Sequence, residues 1–594
     1  MASPNWALPD GVRGEADVIR LSATALDQSD RSCPHRTALK ARPKVWPLER
    51  RRYSPWVDFP LGLVKEALDE VEFQGAGVRD AVQRVVARSR STVHPGAATW
   101  VSHACDAYLR AGEWIDAELE PEGIALRPEP LPRIVQHRSA AELRMLTAWG
   151  RWYESEDGRV REFRRLRIGR AGERGAPSND ALAFVTASGR RARGNVYRDV
   201  PVPVVADARE PERVRVVEVV LSGDAPPRVV VDAAPDDIRR SYRERARGIV
   251  ADVVFADAKR PGADCADCKT LRSCDAIPSA PGLLGVQAKG THRRAWSVTT
   301  GRQYLVCPAQ AHLRELRLPM ASWSDGEAAR RGRAVHRWLE AAHGRPGARA
   351  CDHTDLPEPD APDLGVAGKI MTAEEYAEAR PYLLAHLAVC PLGGAEPLSG
   401  VMPEPSVAAY DPAADVVVIA APDLVRTVGG RLVYREQKTT DGPLPGGDAE
   451  RLFARFPQLA LAVRLIAHGV LGGDGTGVVE LETMTRTGAE VRAFEVSEPE
   501  VQDAARQVIV RMTRRWRTDV EFRANPGHWC RGCPVAQWCP DRAPADPAAP
   551  IVVDGVRIDP VTGEVLNAAG ALTDRAAAVS EGLAEPVQIE EPPF

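Results

Sequence analysis

One cysteine spacing occurs twice in the chain, and it constrains the fold more than any other feature. Residues 530–539 read CRGCPVAQWC and residues 265–274 read CADCKTLRSC, so both have the pattern C-x2-C-x5-C. The chain has 594 residues and 11 cysteines, so a second copy of this spacing indicates an internal repeat. Neither copy holds a fourth thiol, so each needs one more ligand from elsewhere in the chain.

Further segments repeat in the same order. A Cys-Pro pair comes early in each half, at Cys33 and at Cys307, and a helical pattern follows it. Late in each half a strand, a turn with glycine, a second strand and an arginine-bearing helix precede the C-x2-C-x5-C motif. We therefore expect each early cysteine to be the fourth thiol of its half. The repeat predicts an α/β fold with two tandem domains, each a central mixed sheet flanked by helices and closed by a four-cysteine cluster. The expected division is 1–280, a Gly- and Pro-rich linker 281–294, 295–541, and a partly disordered tail 542–594.

The composition excludes some classes of protein. No run of about 18 apolar residues is present, and the first residues lack the basic flank and apolar core of a secretory signal. We therefore expect a cytoplasmic protein without a membrane partner, in which clustered thiols favour metal over disulfides. The net charge is −4, but arginines are clustered, which permits a nucleic-acid surface and is equally typical of solvated helix faces. No phosphate-binding loop motif is present, so an ATP-driven motor would have to be another chain.

An acidic hairpin carries the strongest chemical signal. The segment APDLVRTVGGRLVYREQKTTDG, residues 421–442, has two alternating runs around Gly429-Gly430, which predicts a two-residue hairpin loop. In that register Asp423 stands opposite Glu436, about 5 Å away. Lys438 lies two residues further on and shares their face. Opposed carboxylates repel each other, and Mg²⁺ or Mn²⁺ would compensate. An exposed hairpin with a cross-strand ion pair remains an alternative.

The ordered set of motifs resembles the PD-(D/E)XK nuclease superfamily, specifically its RecB-like branch with an iron–sulfur cluster, which includes AddB and CRISPR-adaptation nucleases. The pattern of that branch is an early cysteine, G-x-x-x-H on a helix, a strand aspartate, E-x-K on the next strand, a helix that opens with glutamine, and C-x2-C-x5-C. All of these elements occur in this order over about 295–541: Cys307, Gly332 and His336, Asp423, Glu436 and Lys438, Gln458, then Cys530, Cys533 and Cys539.

The resemblance implies a role for each of these residues. His336, Asp423 and Glu436 would bind Mg²⁺ or Mn²⁺, Lys438 would be catalytic, and Gln458 would orient the lysine or the DNA backbone. Glu404 is a further candidate acid on a preceding strand. Two departures concern DNA positioning more than metal binding, because the branch often has glycine before the aspartate and a tyrosine where Ala462 stands.

In each domain one expected cysteine ligand lies more than 200 residues before the other three. This spacing is unlike that of a zinc ribbon, and it resembles the way a [4Fe–4S] cluster joins the two ends of the nuclease domain in this branch. We therefore expect a [4Fe–4S] cluster in the second half and a second one in the first half, where reduced, unligated thiols remain the alternative. Cys105, Cys351 and Cys390 fit no site in this scheme, and we expect them to be buried or incidental. The expected ligands are, in the second half, Cys307, Cys530, Cys533 and Cys539 and, in the first half, Cys33, Cys265, Cys268 and Cys274.

The first half lacks the E-x-K motif. Its corresponding segment, WYESEDGRVREFRRLRIG, has a predicted turn at Asp157-Gly158 and arginines on the following strand. We therefore expect a degenerate, inactive copy that binds DNA through arginine. The whole chain is then predicted to be a metal-dependent DNA nuclease, of exonuclease type, in DNA repair, recombination or defence. The alternatives are a non-catalytic DNA-binding subunit of a helicase and a zinc-ribbon regulator.

Overall fold

The computed structural model describes most of the chain. The described residues are 6–27, 32–50, 52–169, 175–196, 200–205, 207, 209–223, 225–287, 292–321, 326–347, 349–394 and 396–543, with three short strands between 551 and 566. The predicted tail, 542–594, lies mostly outside the described residues, as does part of the predicted linker. Within the tail, three antiparallel strands are described: β21 (Ile551–Val553), β22 (Val556–Ile558) and β23 (Val565–Leu566).

The first half contains twelve described strands and seven described α-helices. The strands are β1 (Val12–Gly14), β2 (Val18–Ser22), β3 (Val45–Pro47), β4 (Leu126–Glu129), β5 (Arg133–Arg138), β6 (Leu143–Thr147), β7 (Arg151–Ser155), β8 (Val160–Arg167), β9 (Arg190–Ala192), β10 (Val204–Val205), β11 (Arg213–Val220) and β12 (Arg228–Ala233). The helices are α1 (Pro34–Lys40), α2 (Pro60–Gln74), α3 (Val78–Arg88), α4 (Pro95–Leu119), α5 (Ala176–Ser188), α6 (Pro235–Ser241) and α7 (Arg247–Phe255).

The second half contains eight described strands and eight described α-helices. The strands are β13 (Arg294–Trp296), β14 (Leu398–Pro403), β15 (Val407–Asp411), β16 (Val416–Ala420), β17 (Leu424–Val428), β18 (Arg431–Thr439), β19 (Val478–Met484) and β20 (Ala489–Glu495). The helices are α8 (Val298–Val306), α9 (Pro308–Glu315), α10 (Glu327–His343), α11 (Val366–Ile370), α12 (Ala373–Leu387), α13 (Ala449–Arg455), α14 (Pro457–Ala467) and α15 (Pro499–Thr518). Several begin with proline, which suits the first helical turn because its missing N–H has no partner there in any case.

The main sheets of the two halves have the same topology. The order is β12-β11-β8-β7-β4 in the first half and β20-β19-β18-β17-β14 in the second. In each sheet the central pair is parallel, β8 with β11 and β18 with β19, and the other pairs are antiparallel. A second sheet is also similar in the two halves. The strand order and strand directions of β2-β6-β5 match those of β13-β16-β15.

Each half thus has two mixed sheets, where the sequence predicted one. The chain crosses between the sheets through three residues, Ala421-Pro422-Asp423 in the second half and 148–150 in the first. Pro422 has no N–H to donate to a strand ladder, which suits this crossing, but the first half makes the same crossing without a proline. Asp423 and Gly150 are therefore equivalent positions, each just before the strand that leads into the central hairpin.

The two halves share buried surface. Leu313 and Trp538 of the second half pack in the same apolar cluster as Trp100 of α4. Leu283 and Leu284, in the predicted linker, are fully buried in the second-half core, and Asp411 accepts hydrogen bonds from the linker backbone. Within the described residues, no helix is long and apolar enough to cross a membrane.

Candidate functional site

The central hairpin forms as the sequence predicts. Gly429 and Gly430 have φ of 56° and 83°, the left-handed conformation that a two-residue hairpin loop requires. Val425 pairs with Tyr434, and Val428 with Arg431, so the predicted register is confirmed. Asp423, one residue before β17, therefore lies opposite Glu436 on β18.

Lys438 lies between the two opposed carboxylates. Its Nζ donates to Oε1 of Glu436 at 2.7 Å and lies 3.7 Å from Oδ2 of Asp423. The backbone N–H of Gln437 donates to the same Oδ2 at 2.5 Å. Burial, with the Asp423 charge added, raises the pKa of Glu436 to about 7. The neighbouring His336 and Lys438 overcome the effect of burial on Asp423 and lower its pKa to about 2.

His336 and a second acid complete a three-residue group with Asp423. On α10, Nδ1 of His336 lies 3.3 Å from Asp423 Oδ1 and 3.5 Å from Glu404 Oε1. One potential ligand atom from each of the three residues falls within 4.8 Å of the other two. Burial opposes the imidazolium, but Asp423 and Glu404 overcome it and raise the pKa of His336 to about 10. The group therefore concentrates the negative charge that a divalent cation needs.

Glu404, in place of Glu436, forms the three-residue group with His336 and Asp423. The predicted ligand set was His336, Asp423 and Glu436, whereas the structure groups His336 and Asp423 with Glu404. The Glu436 oxygens accept from Lys438 and, at 3.4 Å, from the Tyr434 hydroxyl. Glu404 follows β14 instead of lying on it, and its φ of 45° is unusual for a residue with a side chain. Such strain often occurs at functional sites, where the surroundings hold it in place.

Gln458 is the second residue of α14, as predicted, but its described contact is with an arginine. Its Oε1 accepts from Arg302 Nη2 at 3.2 Å, and the same nitrogen donates to the Arg455 carbonyl. Burial lowers the pKa of Arg302, and the Glu436 charge opposes that shift. Arg302 on α8 thus joins the site. Sequence reasoning missed it, because nothing in the local pattern before Cys307 distinguishes this arginine from its neighbours.

The four predicted cysteines of the second half line one cavity, together with Asn525 and Trp529. Backbone N–H groups point at two of the sulfurs, from Asn525 to Cys307 Sγ at 3.3 Å and from Gly527 to Cys530 Sγ at 3.5 Å. Such bonds stabilise thiolates and are typical around iron–sulfur ligands.

The first-half cysteines have the same local structure. Arg260 N–H donates to Cys33 Sγ at 3.4 Å and Gly262 N–H to Cys265 Sγ at 3.4 Å. Arg260 and Asn525 each lie five residues before the first cysteine of their C-x2-C-x5-C motif, and Gly262 and Gly527 each lie three residues before it. A Pro-Gly pair precedes the motif in both halves. Short 3₁₀ turns cover the same positions in both motifs, 263–267 and 271–273 against 528–532 and 536–538.

The sulfurs are spread more widely than one zinc ion requires. Four thiolates about 2.3 Å from zinc would stand about 3.8 Å apart. Among the described residues, neither cysteine set brings three sulfurs within 4.8 Å of one another. The residues present therefore fit a larger group, such as a cluster of several iron atoms, better than a single ion.

The equivalent strand of the first half carries arginine where the second half has acid and lysine. The predicted Asp157-Gly158 turn lies between β7 and β8. The pairing of Arg151 with Arg164 continues to Gly150 and Arg165, as the pairing of Leu424 with Arg435 continues to Asp423 and Glu436, so Arg165 and Arg167 match Glu436 and Lys438. Both donate to Glu218 on β11, at 2.7 Å and 3.0 Å, and that carboxylate is fully buried. Arginines of this strand are thus buried and paired inside the fold instead of facing outward for DNA.

Two cysteines that fitted no site lie together with two histidines. Cys351 and Cys390 are buried, as expected, but His343 and His386 lie beside them, with one ligand atom of each residue within 4.8 Å of the others. These two cysteines therefore belong to a His–Cys group that could hold a metal ion, which the sequence did not indicate. The thiol of Cys105, also buried, donates to the Val64 carbonyl oxygen at 3.9 Å.

Comparison with known proteins adds a match over the second half. Residues 295–540 match the family model of the PD-(D/E)XK nuclease superfamily. No curated protein matches the chain. Among solved structures, the crystal structure of SSO0001 is similar at 11% identity and a TM-score of 0.15, over 41% of this chain and 94% of that chain. That score is too low to support an argument, so the match of 295–540 to the nuclease superfamily is the informative result.

Proposed function

We propose that residues 295–541 form a nuclease domain of the RecB-like type that hydrolyses DNA phosphodiester bonds with Mg²⁺ or Mn²⁺. The observation that carries the proposal is the arrangement of His336, Glu404 and Asp423 beside Glu436 and Lys438. The match of 295–540 to the nuclease superfamily supports it independently.

The side chains fit a hard divalent cation. Two carboxylates and one imidazole converge within 4.8 Å, and oxygen-rich sets of this kind suit Mg²⁺ and Mn²⁺. Asp423 and Glu404 would be ligands, with His336 as the nitrogen ligand and Glu436 as a further acid. A bound cation would supply Lewis acidity at the scissile phosphate.

Other side chains around the proposed metal ligands would stabilise charge, exclude water and hold the DNA. The Lys438 ammonium lies next to both carboxylates, where it can stabilise negative charge that develops on the phosphate oxygens. Burial of Glu436 keeps water away from the charges and so strengthens their interaction. Arg302 and Gln458 form a polar pair at the start of α14 that can hold the DNA backbone.

We also propose a [4Fe–4S] cluster in each half and an inactive nuclease-like fold in the first half. The spread of the sulfurs and the matching N–H···S contacts support the clusters. The shared sheet topology supports an internal duplication. Replacement of the acid and lysine positions by Arg165 and Arg167 supports loss of catalysis in the first copy.

A nuclease assay tests the proposed activity. Protein purified without oxygen would be incubated with end-labelled single- and double-stranded DNA in Mg²⁺ or Mn²⁺, beside Lys438→Ala and a control, Lys65→Ala, which breaks a surface pair with Asp69. We expect metal-dependent cleavage that falls by at least about 100-fold in Lys438→Ala and is unchanged in the control. Successive single-nucleotide products would indicate an exonuclease. Folded, brown wild-type protein that binds DNA and cleaves none would overturn the proposal and favour a non-catalytic subunit of a helicase in DNA repair, recombination or defence.

Iron content tests the clusters. Wild-type protein should hold about eight iron atoms, and Cys307→Ser or Cys33→Ser should each remove about four. Cys105→Ser is the matched control, since Cys105 is buried and belongs to neither proposed set of iron–sulfur ligands. Colourless protein that carries zinc at both cysteine sets would contradict this part of the proposal.

A further inference from the structure

Four buried side chains lie close together near the C-terminal ends of α10 and α12. His343 is the last residue of α10, and His386 is the penultimate residue of α12. Cys351 and Cys390 lie in the segments that follow these helices. Their exposed fractions are 2%, 0%, 5% and 9% in that order, so none of them faces bulk water.

The distances among these side chains match a tetrahedral metal site. Zinc bonds of about 2.0–2.1 Å to nitrogen and 2.3 Å to sulfur place two nitrogens about 3.3 Å apart and a nitrogen and a sulfur about 3.6 Å apart. The Nε2 atoms of His343 and His386 are 3.3 Å apart, and Cys390 Sγ lies 3.9 Å from His343 Nε2. One ligand atom from each of the four residues lies within 4.8 Å of all the others.

We propose that this group binds one structural zinc ion through His343, Cys351, His386 and Cys390. Two thiolates balance the charge of a divalent ion, so the bound group is neutral overall and can be buried without an uncompensated charge. All four coordination positions come from the protein, which is typical of structural zinc and leaves no open position for catalysis.

Neighbouring residues orient the ligands. Glu482 on β19 accepts from Nδ1 of His386 at 2.5 Å, which directs the Nε2 lone pair of that ring towards the other three side chains. Glu482 is itself held by Arg435 at 3.1 Å and by Gln437 at 2.9 Å. The N–H of Cys351 donates to Cys390 Sγ at 3.3 Å, as it would to a thiolate.

The donor set favours zinc over other groups. It holds no carboxylate ligand, which disfavours Mg²⁺ and Mn²⁺, while imidazole with thiolate is typical of zinc. A two-iron cluster with the same four residue types would place its histidines and cysteines on different iron atoms and so further apart. The mutual distances below 4.8 Å indicate a single ion.

The zinc would brace the helix that carries the candidate metal-ligand histidine. His343 is two helical turns after His336 on α10, so the ion ties the end of that helix to α12. Through His386 and Glu482 it also connects to Gln437, which stands between Glu436 and Lys438 on β18. The inference goes beyond the proposed nuclease activity and does not depend on it.

The first test uses the wild-type full-length chain. Elemental analysis after growth with added zinc should give about one zinc per chain, and X-ray absorption at the zinc edge should show two sulfurs at about 2.3 Å and two nitrogens at about 2.0 Å. Absence of zinc would overturn the proposal and favour a metal-free pair of hydrogen-bonded histidines. A shell of four sulfurs would also overturn it, because the zinc would then lie in a four-cysteine set.

The second test uses matched variants. The double variant Cys351→Ser, Cys390→Ser should lose the zinc and keep the iron, whereas Cys105→Ser should keep both. Zinc retained by the double variant would refute the assignment. If the double variant does not fold, the absorption spectrum of the wild-type protein still decides, because it reports the ligands directly.

Discussion

The two halves present the same pair of central strands with opposite chemistry. On β18, Glu436 and Lys438 face Asp423, and the acids remain close to each other. On β8, Arg165 and Arg167 share Glu218 from the next strand, and Gly150 replaces the aspartate. In the first half the equivalent face is thus an internal salt-bridge network.

The difference separates a face whose charges are paired from a face that keeps two acids close together. In the first half Arg165 and Arg167 on this face both pair with Glu218, which is the arrangement that stability favours. In the second half burial raises the pKa of Glu436 to about 7, so its ionised form is held at an energetic disadvantage. A cation bound beside Glu436 would relieve that disadvantage.

The largest expected effect is in the second half. Glu436→Gln should reduce cleavage by at least about 100-fold, because an acid of the metal face is lost. The same change should raise the melting temperature at pH 8 without added metal. Because the pKa of Glu436 is raised, its ionisation lowers the free energy of unfolding as pH rises from about 4.5 to about 7, and this loss persists at pH 8. Glutamine cannot ionise and so avoids the loss. Calorimetry at pH 8 checks the sign, and a lower melting temperature would contradict the comparison.

The same substitution in the first half should have the opposite effect on stability. Glu218→Gln removes the charge that pairs with Arg165, Arg167 and Arg228, so the free energy of unfolding should fall by about 3 kcal/mol. Cleavage per folded molecule should not change. Denaturant titration measures the loss, and Glu156→Gln, which alters an exposed pair with Arg127, is the control. An unchanged free energy of unfolding would mean that the ion pairs of Glu218 do not stabilise this sheet.

A smaller effect is expected at the position equivalent to Asp423. A Cβ at Gly150 would lie 2.5 Å from the Arg164 carbonyl oxygen and 2.5 Å from Phe163 Cζ, so Gly150→Ala should destabilise by about 1–3 kcal/mol. Gly248→Ala, in α7 with nothing within 4 Å, should instead be neutral or stabilising. If both variants melt at the wild-type temperature, the first half could accommodate an aspartate at this position, and the presence of glycine there would need another explanation.

The smallest expected effect concerns the contact between the halves. His312 of α9 stacks on Phe522 and contacts Trp56 and His94 of the first half. Burial lowers the pKa of His312 to about 3, so the folded protein keeps it neutral while the unfolded chain protonates it below about 6.5. Stability should therefore fall as pH drops from 7.5 to 5.5, by about 1 kcal/mol from this residue.

His312→Phe should flatten that slope, because phenylalanine can stack but cannot take up a proton. Denaturant titrations at several pH values, followed by tryptophan fluorescence, measure it. An equal slope in the variant would show that other groups cause the acid sensitivity of the contact.

Local patterns were sufficient for part of the site. The register of the hairpin follows from Gly429-Gly430, because only residues that accept positive φ can form that loop and side chains alternate strictly along strands. The two C-x2-C-x5-C motifs indicated the repeat. A further signal was present, since Pro-Glu-Pro occurs at 128–130 and 403–405, after β4 and β14 have each begun. It would have marked Glu404 and its first-half counterpart Glu129, which pairs with Arg191.

Sequence by itself determined the hairpin, the order of the candidate catalytic residues and the duplicated cysteine spacing, because each depends on neighbours in the chain. Only the tertiary structure decided that Glu404 joins His336 and Asp423, that β8 buries its arginines against Glu218, and that two His–Cys pairs meet beneath β19. Those contacts join residues that are tens of positions apart. They exist because helices pack on a twisted sheet in one particular arrangement, and no short pattern in the chain encodes that arrangement.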